Sequence, residues 1–194
     1  YQYSTSKDAG FPPAWAVGTS GVNGRVTDGT ATADAGCVKF TNAATGNIYL
    51  KAISLVSTIA HLHEFYDVVW VNNALVVTTT TEQTFTTPTF PARDKNGTTS
   101  GEGYQIGLLF TGTATNAAVN NTATVRYTNT TPTGSRTARL SANVGSQIPA
   151  TALVGTIVWF NLEAGDTGVS SIQGITLATS LGAGSISLIV ARKI

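Results

Sequence analysis

Phe65-Tyr66-Asp67-Val68-Val69-Trp70-Val71-Asn72-Asn73-Ala74-Leu75-Val76-Val77 is the most apolar stretch of the chain. Its valines lose χ1 freedom in a helix and suit a pleated strand. Asn72-Asn73 interrupts it with two turn formers, so the spacing predicts strand, turn and second strand rather than one helix. Outward from this stretch the strand signals recur. Thr78–Thr87 reads as a Thr-rich edge, which Pro88 and Pro91 bring to an end. Arg93-Asp94-Lys95-Asn96-Gly97 holds the densest charge and an Asn-Gly turn signal. Tyr104–Thr111 reads as a buried strand with Ile106, Leu108 and Phe110 on one face. Thr122–Thr128 alternates Ala123, Val125 and Tyr127 against Thr124 and Arg126.

Further along, a Thr131–Gly134 turn leads into Arg136–Ala142, and Thr156–Leu162 reads as another strand. The Gly165-Asp166-Thr167-Gly168 turn precedes Val169–Leu177, and Ser185–Arg192 closes the series. Upstream, Gly46-Asn47 reads as a turn between Cys37–Thr41 and Ile48–Leu55. Only Ala150–Val154 and Ser57–His63 could hold a helical turn. Roughly eight to ten strands at this spacing predict an all-β fold, a jelly-roll-like antiparallel β-sandwich over 36–194. Residues 1–35, punctuated by Gly10, Pro12, Pro13, Gly18, Gly21, Gly24 and Gly29, read as an extended N-terminal arm.

Composition agrees. Of 194 residues only 11% are charged, 42% are hydrophobic and 33 are threonine, and the net charge is +1. Helix-favouring charged residues are scarce, and the hydrophobic fraction argues against disorder. A chain of this length buries about 70% of its unfolded surface, enough for one sandwich without staples. Dispersed Lys and Arg leave no footprint for nucleic acid. No run reaches the ~18 apolar residues of a membrane helix, and Tyr1–Asp8 does not read as a signal peptide. Cys37 is alone and reads as a buried, inert thiol.

Candidate chemistry is thin. His61 and His63 would share one face of a strand, a spacing able to chelate Zn or Cu. Their further ligands are missing, with Glu64 on the opposite face and Asp67 beyond, so two imidazoles on a polar or interface face is the plainer reading. Glu163 and Asp166 flank a glycine turn and Glu102 sits between Gly101 and Gly103; turn and capping duty is expected of these carboxylates rather than glycosidic acid/base work. No nucleophile elbow or phosphate loop is present. The sequons at Asn96, Asn120 and Asn129 are what Thr-rich loops produce by chance. Arg93, Arg126, Arg136 and Arg139 are candidates for ion pairs, with Asp94 or Asp166 as partner across a subunit contact. Of the tryptophans, Trp15 lies in the arm, while Trp70 and Trp159 lie in apolar runs and read as core. Neither catalytic nor metal residues nor a cofactor are expected.

Several phrases carry a resemblance. They are Tyr66-Asp67-Val68-Val69-Trp70-Val71-Asn72-Asn73, Phe90-Pro91-Ala92-Arg93-Asp94-Lys95-Asn96-Gly97, Val125-Arg126-Tyr127-Thr128-Asn129, Ile148-Pro149-Ala150-Thr151-Ala152, Leu162-Glu163-Ala164-Gly165-Asp166-Thr167-Gly168-Val169 and Ile172-Gln173-Gly174-Ile175-Thr176-Leu177. Over about residues 60–194 the chain resembles tailed-bacteriophage virion structural proteins of the head decoration or cement kind. The resemblance implies a non-enzymatic subunit that stabilises the shell of the major capsid protein. Its partners would be that protein and neighbouring copies of itself, without nucleic acid or membrane. Its place would be the outer surface of the phage head, after assembly in the host cytoplasm. Two other functions fit the residues: a tail or fibre receptor-binding or adhesin module using Trp for sugars, and a metal-dependent cupin-like enzyme using His61 and His63.

Overall fold

The computed structural model describes residues 18, 20–27, 45, 64–141 and 147–194. Cys37, His61, His63, Trp15, the Gly46-Asn47 turn and most of the expected arm lie outside them. The strands are β1 (Arg25–Val26), β2 (Tyr66–Asn72), β3 (Glu82–Thr84), β4 (Tyr104–Gly112), β5 (Thr124–Asn129), β6 (Arg136–Arg139), β7 (Ile157–Trp159), β8 (Val169–Thr176) and β9 (Ser185–Lys193). They form two antiparallel sheets, β1-β2-β9-β4-β7 and β3-β8-β5-β6, packed as a β-sandwich. No described residue is helical. The pairing is nested: β2 pairs with β9, β3 with β8, β4 with β7 and β5 with β6.

Ile106, Leu108 and Phe110 of β4 and Ile186, Leu188 and Val190 of β9 face inward. They meet Val125 and Tyr127 of β5 and Ile172 and Ile175 of β8. In β2 a bulge between Val68 and Trp70 breaks the alternation, turning both Val69 and Trp70 into this core. Trp70 packs against Phe85 and Phe90 at ring-centroid distances of 5.7 and 6.3 Å, and its indole N–H donates to Asn23 C=O. The bulge also leaves Val68 and Val71 on the outer face, in a second buried apolar cluster with Leu109, Ile189 and Ala191.

Four expectations change. Ala74–Thr81 is a loop, not a second strand, because side chains replace its ladder. Asn72 Oδ1 accepts from Ala74 N–H, and the Gln83 amide takes both the N–H and the C=O of Val76. β7 stops at Trp159, since Asn161 changes partner and exchanges both backbone hydrogen bonds with Arg139 of β6. β6 is likewise shorter than expected, and Ala150–Val154 forms no helical turn. Within the expected arm, Arg25 and Val26 pair with Val71 and Trp70, so part of that stretch is an edge strand of the sandwich.

Open sheet edges invite pairing with other chains, and here they are closed. The Arg139–Asn161 exchange ties β6 to β7 across the sheets, and Thr86 N–H donates to Asn23 Oδ1 on the other side. The outer face of the four-stranded sheet carries the Arg126–Glu82 pair at 2.8 Å, with both side chains over one-third exposed. Water screens such a pair, so Arg126→Ala is expected to change the urea-unfolding free energy by under about 1 kcal/mol.

Candidate docking end

Because the chain alternates between sheets, its connections collect at two ends of the sandwich. One end carries residues 20–24 ahead of β1 and the loops 73–81, 113–123, 140–156 and 177–184. None of these segments contains a charged residue. Backbone hydrogen bonds join them: Gly18 N–H to Asn73 C=O, Leu181 to Val77, Thr115 to Leu181, and Ala114 to Ala152. Buried asparagines add to this. The Asn120 side chain donates to Leu177 C=O, and that of Asn116 donates to the carbonyls of Ala118 and Pro149. The loops therefore form one preorganised surface.

Six large aliphatic side chains of the described residues are exposed, and five of them sit at this end: Val22, Val76, Val119, Leu153 and Val154. Leu153, at 63% exposed, stands beside Val154 on the connection into β7. Scattered exposed aliphatics are ordinary, whereas their concentration on an uncharged, tied-down end marks a contact surface. With no titratable group it has no means for acid/base work. It can offer apolar area and neutral hydrogen bonds, which salt hardly weakens.

The opposite end holds most of the charge, and its carboxylates are occupied. Asp94, 1% exposed, accepts six hydrogen bonds. They come from the Asn96, Thr98, Gly101 and Glu102 N–H groups and the Thr98 and Ser100 hydroxyls. Burial alone would raise its pKa, but these donors outweigh it and hold the carboxyl well below its usual range. Asp94 thus organises its own loop and pairs with no arginine. The arginine at its backbone is Arg192, which donates to the Asp94 C=O at 2.9 Å.

Asp166 does meet an arginine, but within the chain rather than across a subunit contact. Arg136 grips it through two nitrogens at 2.9 and 3.1 Å and reaches Glu163 with a third at 2.7 Å. Tyr127 O–H donates to Asp166 and accepts from Glu163 N–H, while Asn129 completes the set. Burial pushes against ionisation of Asp166, yet Tyr127, Arg136 and Asn129 bring its pKa down to about 2. Burial, then the neighbouring Asp166, pushes the Tyr127 phenol far above its ordinary value. The Glu163–Asp166 pair is therefore bridged by one guanidinium and fastens the 163–167 turn to β5 and β6. Arg93 pairs with Asp67 at 3.4 Å, Lys193 with Glu64, and Glu102 accepts from Thr167.

Trp70 is core as expected, but Trp159 is not. It is half-buried on the outer face and stacks on Tyr66 at 4.8 Å. Asn120 and Asn129 are buried, and Asn96 is exposed in the Asp94 loop. No group of three or more His, Cys, Asp or Glu suited to a metal occurs among the described residues. The Asp94 cage had a readable signal, an Asp followed by a Gly/Thr/Ser loop rich in short donors. The docking end had one too: long charge-free connections whose common location only the topology reveals. Comparison with family models, curated proteins and solved structures finds no match for this chain.

Proposed function

We propose that the chain is a non-enzymatic structural subunit of a tailed-phage virion. It would be a decoration or cement protein that docks on the shell of the major capsid protein, with neighbouring copies of itself alongside. One observation carries this reading: the charge-free end bearing Val22, Val76, Val119, Leu153 and Val154. A subunit that must hold a repeating shell through changes of salt is served by such a surface. The occupied carboxylates of the other end support a structural role, as does the sequence resemblance. We read the nested strand order as jelly-roll winding, an architecture that recurs in capsid proteins.

Cryo-EM of purified particles tests the reading. Copies of the chain are expected on the outer shell, with the charge-free loops against the capsid. Particles lacking it on the shell would overturn the proposal. Retention should be nearly unchanged between low and high salt. Replacing Leu153 and Val154 together with Glu should leave the fold intact, since both are exposed. It should weaken particle binding on the order of a hundredfold, because two unpaired charges would enter an apolar contact.

A further inference from the structure

The charged end contains an open groove of about 490 Å³, walled by Gly103–Gln105 of β4 and by the Trp159–Thr167 segment. It exists because β7 parts from β4. Phe160 N–H still bonds Ile106 C=O at 3.0 Å, and Asn161 then turns to Arg139. The chain regains β4 only at Thr167, whose C=O accepts from Gly103 N–H at 2.9 Å. That volume falls within the range of small-ligand sites.

Its wall has a distinct chemistry. The Trp159 indole lies against Gly107, where a Cβ would come within 2.8 Å of the ring, and Tyr66 backs it by stacking. The amides of Gln105 and Asn161 are exposed, and neither bonds to another side chain or backbone group among the described residues. Glu163 is held rigid by Arg136 and by Thr137 N–H. No Lys or Arg lines the groove, which disfavours phosphates and acidic ligands. Asp166 is saturated by its own partners, which disfavours a cation. An amphipathic aromatic face beside fixed acceptors and free planar amides suits alternating C–H and O–H groups.

We propose that this groove binds short neutral saccharides, with Trp159 as the stacking surface and Gln105 and Asn161 reading hydroxyls. It lies opposite the charge-free loops, so on a subunit docked through them it faces away from the shell. That orientation rests on the docking reading; the binding does not.

Nuclear magnetic resonance titration of the full chain with maltotriose, cellotriose, triacetylchitotriose and trigalacturonate tests it. At least one neutral trisaccharide is expected to shift the Trp159 indole and the Gln105 and Asn161 amide signals. A Gln105→Ala/Asn161→Ala double variant, altering only exposed side chains, should weaken that binding at least tenfold, and Trp159→Ala should abolish it. Absence of those shifts with all three neutral sugars would overturn the proposal. So would tighter binding of trigalacturonate, or affinity unchanged in the double variant. Particle binding is read separately, so failure of the groove and failure of the docking end are distinguishable.

Discussion

Asp94→Ala is expected to lower the unfolding free energy by about 3 kcal/mol, the scale of a charged hydrogen-bond acceptor removed from buried donors. For a chain of this size that corresponds to a fall in Tm of about 6–12 °C, measurable by calorimetry. The substitution orphans four backbone N–H groups and two hydroxyls at once. Asp94→Asn should rescue little. Oδ1 accepts two N–H donors, and Oδ2 accepts two hydroxyls and two N–H donors, so either amide orientation sets N–H against N–H. A near-wild-type Asn variant would show that shape, not the carboxylate, organises the loop. The pH dependence has a definite sign. The folded pKa of Asp94 lies below its unfolded value of about 3.9, so its contribution is complete above that value and lost as pH falls below it. Asp166, at about 2 when folded, acts in the same direction. Urea midpoints should be flat from these groups between about pH 5 and 8 and decline below about pH 4, less steeply in Asp94→Ala.

Gly101→Ala should be of comparable severity, costing about 2–5 kcal/mol from two sources. Gly101 has φ +84°, where an L side chain costs about 1–2 kcal/mol. A Cβ there would also meet Val169 C=O at 1.9 Å, backbone that cannot rotate aside. Relief would require moving the start of β8, at a further cost of about 1–3 kcal/mol. It would also break the Val169 N–H to Gly101 C=O bond of 3.1 Å. Gly97→Ala is the control. Its φ of +72° is similar, but nothing lies within 4 Å, so only about 1–2 kcal/mol is expected. Equal losses in the two variants would show that backbone conformation alone, not the close approach, is responsible.

Much of the sandwich is legible from local pattern. β4, β5, β8 and β9 fall where alternation and turn residues place them, because each buries one face and ends at glycine or proline. What escaped depends on distant partners. The loop after Asn73 reads as strand from its valines, yet Gln83 takes the backbone groups of Val76 that a neighbouring strand would otherwise need. Trp159 sits between Val158 and Phe160, both buried, and only the β4–β7 register shows that its side chain goes outward over Gly107. Arg136 was recognisable as a pairing residue, but its partners lie 27 and 30 positions away. The charge-free segments were visible one by one. Their meeting at one end follows from alternation between sheets.

Nested pairing also governs when the molecule can come into being. β9 lies between β2 and β4 in the five-stranded sheet, so residues more than a hundred positions apart, such as Asn72 and Leu188, must meet before that sheet is continuous. Folds dominated by such distant contacts close slowly, since loop entropy is lost before the contacts form. On the ribosome β2 and β4 emerge long before the strand that joins them. A chain stopped short of β9 therefore leaves two apolar strands without their shared neighbour, a species prone to aggregate rather than to join an assembly. The order of synthesis thus acts as a check on completeness.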